Sequence, residues 1–212
     1  MSREHNINLR VLFECIASFC LFIMAIIAPI ALNLLQIKDT NSQISTVDIL
    51  VGSGLLCLVA LLDIVIAYCV YQIFKIEQVV LSVISCILRI AYGILLFLCL
   101  VPLFSFSKGI NMNEYYVYFS LFNSNWSKAL ALFGVHLLFL GILIIRSRFL
   151  SWILGCFVCI SGFGYIIDTV VRINNPNSSF SISIFTFVGE VLLIIWLPMN
   201  GYKTLQVSKQ KK

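Results

Sequence analysis

Apolar residues run almost unbroken along this chain, and short polar stretches divide them into six long segments. These cover residues 11–35, 49–74, 79–104, 128–145, 149–171 and 181–199. A helix needs about 20 apolar residues to cross a hydrocarbon layer, and each run approaches or exceeds that length. A membrane β-barrel would instead alternate apolar and polar positions over segments of about ten residues. The pattern predicts an all-α fold, a polytopic membrane bundle of six transmembrane helices that makes residues 1–212 a single integral-membrane domain.

The first run is too long for a signal peptide, whose apolar region spans only about 7–15 residues, and it carries Glu14. It reads as a retained helix, with Glu14 four residues after Arg10 as an interfacial pair. Polar residues 36–48 form a loop, and a short turn follows around residues 75–78. Residues 105–127 make the longest connection and hold Tyr115, Tyr116, Tyr118, Phe119, Phe122 and Trp126. Tyrosine and tryptophan favour the headgroup level, so a short interfacial helix or flap is expected there. Arg146-Ser147-Arg148 is a tight basic turn that folds the fourth and fifth runs into an antiparallel hairpin. Gly155, Cys159 and Gly162 give the fifth run a small-residue face for close helix approach.

Composition reinforces this pattern. The chain is 61% hydrophobic and 11% charged, with a mean hydropathy of +1.04. Soluble domains carry about 25% charged residues, which excludes a water-soluble protein. The net charge of +5 comes from Lys and Arg at span ends and in the C-terminal tail, where they set topology rather than bind nucleic acid. With six spans, nine Lys and Arg fall on the side shared by the termini, four on the other, and Arg89 lies within a span. The positive-inside rule places both termini in the cytoplasm, with the chain in the cell (plasma or inner) membrane. All eight cysteines lie in apolar runs and read as buried free thiols. Cys156-x-x-Cys159 lacks the second Cys/His pair that zinc needs. With only two histidines, one of them His5 in the N-terminal tail, a His-rich zinc hydrolase is not expected, and a bis-histidine haem within one chain cannot be built in the bilayer. No cofactor or metal is expected.

Several ionisable residues stand where hydrocarbon rejects them. A charge at mid-membrane costs about 2.5–3.5 kcal/mol on insertion scales, so it is normally retained for a reason. Counted at about 1.5 Å per residue from the cytoplasmic end, Asp63 lies at roughly 16 Å, Arg89 at roughly 15 Å, and His136 and Glu190 at roughly 13–14 Å. These four form the expected binding cluster. Asp63 and Arg89, on consecutive antiparallel helices, should pair as a salt bridge. That leaves His136 and Glu190 as the expected functional centre, with Ser183 and Thr186 extending the Glu190 face outward. One cation, two carboxylates and an imidazole can hold a proton in more than one place. Ser82, Ser85, Arg89, Tyr92 and Gly93 share one face of the third run. Tyr165 and Asp168 make a secondary polar site on the fifth, with Arg172 four residues beyond Asp168.

With these residues in view, the chain resembles a family of bacterial six-helix membrane proteins known only as domain of unknown function 4386. The resemblance lies in His136, Gly141, the Arg146-Ser147 turn, Leu154-Gly155, Gly162-x-Gly164-Tyr165, Asp168, Pro176, Gly189-Glu190, Trp196-Leu197 and Gly201. Asp63, Tyr68, Tyr71 and Arg89 add to it upstream. Many members have a proline just after the turn where this chain has Ser151-Trp152. The resemblance implies the six-helix fold and supplies no activity.

Three functions follow. The polar faces fit a bundle that binds a ligand or ion, or couples transport to a proton. A structural or regulatory membrane subunit would dock through the Gly155/Cys159/Gly162 face, as a homo-oligomer or on another membrane protein. An intramembrane enzyme would work through Asp63, Glu190 and a water. In each case the lipid bilayer is the surrounding partner. Topology is testable directly: reporter fusions after Lys212 and within residues 105–127 should report opposite sides of the membrane, and the same side for both would refute the six-span arrangement.

Overall fold

In hydrocarbon every backbone N–H and C=O must find a partner inside its own segment, so long apolar runs become helices. A computed structural model of the chain describes residues 2–36, 45–104, 112–175, 181–182 and 187–210. Among these residues it contains six helices and no strand: α1 (Ser2–Leu35), α2 (Thr46–Phe74), α3 (Val79–Phe104), α4 (Met112–Arg146), α5 (Trp152–Asn174) and α6 (Val188–Gln210). Five of them, α1 to α5, are long and apolar enough to cross a membrane. Each helix from α1 to α5 packs on the next, and α6 closes the ring by packing on both α5 and α1.

One end of the ring gathers the basic turns. Glu77 Oε2 accepts a hydrogen bond from the Arg148 backbone N–H at 3.1 Å, joining the turn before α3 to the turn before α5. The Arg10 guanidinium lies 4.2 Å from the centre of the Phe149 ring. Its Nη2 donates to Thr204 Oγ1 on α6 at 3.4 Å. Glu14 is fully buried at this end rather than interfacial. Its Oε1 lies 3.5 Å from Arg10 Nε and accepts from Asn200 Nδ2 at 3.1 Å.

Two elements differ from the sequence expectation. The fourth helix, expected as the shortest at residues 128–145, is the longest at 35 residues, and it absorbs much of the expected flap. Its first half is polar enough to depress hydropathy but contains no proline or glycine to break a helix. Tyr115, Phe119, Phe122 and Trp126 fall three or four residues apart and stack in a row, with ring centres 5.7–6.1 Å apart. The Tyr115 hydroxyl donates to the Leu35 carbonyl at 2.7 Å. That satisfies an end of α1 where carbonyls lack helical partners.

The second difference is α6. It was expected over residues 181–199 but begins at Val188 and continues through Pro198 into a polar tail. Its apolar part, residues 188–199, covers only about 18 Å at 1.5 Å per residue, short of the roughly 30 Å hydrocarbon layer. Ser18 Oγ donates to the Ile194 carbonyl at 2.5 Å, and further toward the basic end Asn200 meets Glu14, four residues on along α1 and six along α6. This antiparallel register sets the start of α6 beside the middle of α1. Ser183 and Thr186 lie outside the described residues.

The small-residue face of α5 is used within the chain. A Cβ built on Gly162 would lie 2.6 Å from the Gly134 carbonyl oxygen, and one on Gly155 would lie 2.7 Å from that of Gly141. The reverse contacts are equally short, so α4 and α5 touch backbone to backbone at two points two turns apart. The docking face expected for a partner protein is therefore covered by α4. Gly162→Ala should lower stability by about 1–3 kcal/mol through overpacking. Gly54→Ala, with nothing within 4 Å of its new Cβ, should raise it by about 0.5–1 kcal/mol. Thermal unfolding of the two variants in detergent checks this, and shifts in the same direction would refute the interlock.

Candidate functional site

The site begins with Arg89. On α3 the expected stripe of Ser82, Ser85, Arg89, Tyr92 and Gly93 is buried throughout. It turns inward because these residues share one helix face and lipid offers their polar groups no partner. Gly93 lets α2 approach, since a Cβ there would sit 3.1 Å from the Ala60 carbonyl oxygen. That approach carries Asp63 to Arg89, with Oδ1 2.7 Å from Nη2 and both side chains almost wholly shielded.

His136, on α4, stands on the other side of the guanidinium. Its Nε2 lies 3.2 Å from Arg89 Nη1. Its Nδ1 lies 2.9 Å from the Ser85 carbonyl oxygen and 3.1 Å from Ser85 Oγ. Arginine only donates, so Nε2 must accept and Nδ1 must carry the proton that Ser85 receives. The imidazole is therefore neutral in this network, and both ring nitrogens are occupied. Phe133 completes the surround, its ring centre 5.5 Å from Arg89 Cζ. The shell still leaves polar atoms over: Asp63 Oδ2 and Arg89 Nε are buried without a hydrogen-bond partner among the described residues.

Glu190 does not pair with His136, contrary to the expected centre. It lies in the first turn of α6, and Tyr165 on α5 donates its hydroxyl to Oε1 at 2.8 Å. A helix N-terminus and a hydroxyl donor both suit a carboxylate. Gly189 makes this placement possible, because a Cβ there would lie 2.5 Å from Ser161 Oγ on α5. The expected secondary site divides. Tyr165 joins Glu190, whereas Asp168 accepts from Ser181 Oγ at 2.7 Å and from the Ile182 N–H at 2.6 Å. Asp168 thus holds the segment approaching α6.

Asp63, Arg89 and Glu190 are nonetheless brought together, on the wall of one cavity of about 240 Å³ inside the helix ring. His136 lies behind Arg89 and is not on that wall. Most of the remaining lining is apolar, with aromatic rings from Tyr92, Trp126, Phe133, Tyr165 and Phe187. The contribution of α1 was not anticipated. Ala25, Ala28 and Pro29 line the cavity, and Pro29 has no N–H to give the Ala25 carbonyl. A proline four residues after a small residue was the available signal. Beyond Trp126 and Leu32, which line both spaces, lies a wider vestibule of about 860 Å³ whose rim includes Gln36, Lys128 and Arg172. It opens at the end opposite the basic turns. Trp126 Nε1 donates to the Tyr92 hydroxyl at 3.4 Å, at the boundary between the two spaces. Among the described residues no group of three or more His, Cys, Asp or Glu could hold a metal ion.

Comparison with known proteins supplies a family and no activity. The model of the family described as "Domain of unknown function (DUF4386)" matches residues 16–201. An uncharacterised protein of Archaeoglobus fulgidus is 27% identical over 150 residues, which is 71% of this chain and 83% of that protein. No solved structure matches the chain.

The Arg89 network makes a measurable prediction. Asp63→Asn and Arg89→Gln should each destabilise by about 3–5 kcal/mol, because each leaves a buried charge unmatched. The double variant should lose less than the two losses combined, with a coupling of about 0.5–3 kcal/mol. Equilibrium unfolding of the four proteins in detergent reads the cycle, and strictly additive losses would refute the pairing.

Proposed function

The chain belongs to the family described as domain of unknown function DUF4386, and on that premise we propose that it is a multi-pass membrane protein that binds a small ligand inside its helix ring. The observation that carries the reading is the cavity that reaches Asp63, Arg89 and Glu190 through a mostly apolar wall. Ligand sites are typically apolar concavities with a few convergent polar groups. A bundle built only for packing would leave such a cluster dry and fully paired. Here Asp63 Oδ2 and Arg89 Nε, on residues that line the cavity, have no hydrogen-bond partner among the described residues.

Placed in a cell membrane by the positive-inside rule, the basic turns face the cytoplasm and the vestibule faces outward. The ligand then enters past Lys128, Arg172 and Trp126. Glu190 and the Asp63–Arg89 pair form the floor of the path, and His136 positions Arg89 from behind. Proton-linked transport is the extension of this reading, with Glu190 as the carboxylate that exchanges the proton. A structural or regulatory role has lost the α5 face that motivated it, because α4 covers that face.

The test is a thermal-shift screen of small amines, alcohols and acids against the purified protein. A ligand present at about 100 times its Kd stabilises by about 2.7 kcal/mol. Some members should raise the midpoint, those shifts should vanish in Ala28→Phe, which fills the cavity, and the shifts given by amines should shrink in Glu190→Gln. If no compound shifts the midpoint, or if the shifts survive in both variants, the binding reading fails.

A further inference from the structure

Charge balance and aromatic lining together narrow the ligand class. Two acidic side chains and one basic one line the inner cavity: Asp63, Glu190 and Arg89. Arg89 is matched by Asp63. His136 gives no counter-charge, because its Nε2 accepts from Arg89. Glu190 makes no ion pair among the described residues, and its Oε1 accepts from the neutral Tyr165 hydroxyl. Glu190 is only partly buried and lines the cavity. The cavity wall thus carries one carboxylate more than it has cations.

The rest of the lining discriminates among cations. A small metal ion needs several oxygen ligands at short range, and this wall is mostly hydrocarbon and aromatic. Tyr92, Trp126, Phe133, Tyr165 and Phe187 present five rings to a space of about 240 Å³. Aromatic faces attract an organic ammonium within about 6 Å through the ring quadrupole, and they tolerate its alkyl groups as metal sites do not. The wall already performs this chemistry once, with Phe133 holding the Arg89 guanidinium at 5.5 Å. An anion would meet both the surplus carboxylate and the negative ring faces. Lys128 and Arg172 rim the wider outer vestibule. Interactions of such charges with an entering cation weaken in water beyond a Debye length of about 8 Å.

We propose that the inner cavity binds a small organic ammonium ion, with Glu190 as its counter-charge and the aromatic side chains as its cage. The proposal rests on the ligand-binding reading above and names the chemical class of the ligand.

Isosteric pairs separate charge from shape. Choline and 3,3-dimethylbutan-1-ol form one pair, and phenyltrimethylammonium and tert-butylbenzene a larger one. Titration calorimetry on the full chain in nanodiscs should show the cation of at least one pair binding at least about tenfold more tightly than its neutral isostere. Glu190→Gln should reduce that ratio to within about threefold while the neutral isostere binds as before. Phe187→Leu changes a half-exposed position and gives an independent readout if Glu190→Gln does not fold. It should weaken the cation several-fold and leave the neutral isostere unchanged. Neutral isosteres that match or exceed their cations would overturn the ammonium assignment while the cavity reading stands. Binding of neither member of either pair, with no hit in the thermal-shift screen, would overturn both.

Discussion

A buried guanidinium in hydrocarbon cannot be left alone, and the centre of this bundle is arranged around Arg89. Its charge costs about 2.5–3.5 kcal/mol at mid-membrane on insertion scales. Arginine cannot shed that charge, so partners must come to it. Asp63 arrives from α2, His136 from α4, and the face of Phe133 from the same helix. One side chain thereby ties three helices together at one depth. Its demands also set the state of His136, because a donor on one ring nitrogen forces the proton to the other. An imidazole that looked like a proton carrier has both ring nitrogens engaged, by Arg89 and Ser85.

The remaining helices frame what this centre faces. Backbone contact at Gly134–Gly162 and Gly141–Gly155 draws α5 tightly onto α4. That leaves α6 to close the ring on the opposite flank, against α1 and α5. Because α6 starts at Val188, beside the middle of α1, Glu190 sits in its first turn and reaches the cavity. The short helix and the long one have complementary roles. Phe119 and Trp126, two of the stacked aromatics on the extended α4, line the vestibule, and Trp126 also lines the inner space. A polar floor, an apolar wall and a vestibule at one end follow from helix lengths as much as from the side chains themselves.

Much of this was legible in the residue pattern. Unbroken apolar runs dictate helices because hydrocarbon leaves the backbone no alternative, and the spacing of Ser82, Ser85, Arg89, Tyr92 and Gly93 dictates a common inward face. Depth counting brought Asp63 to Arg89, since consecutive antiparallel helices with a short turn have little freedom of register. It also put Glu190 at the right level, because α6 ends at the basic side as expected. Helix ends were less legible. Hydropathy measures the cost of leaving water, whereas helix continuation depends on backbone propensity and packing, so α4 ran on through a polar aromatic stretch that hydropathy excluded.

Partner choice within the cluster was decided only by the tertiary structure. Four ionisable groups at one depth permit several pairings, and the sequence by itself carries no rotation of one helix about its axis relative to another. The interlocked glycines and the approach at Gly93 set those rotations, turning His136 toward Arg89 and Ser85 and leaving Glu190 to Tyr165. The cavity is likewise a tertiary property, because it is the space that six helix surfaces fail to fill. What the sequence determined alone was that polar side chains had to converge inside a membrane bundle: each was individually too costly to face lipid. Which of them touch, and which line the cavity, was settled by how closely the backbones could approach.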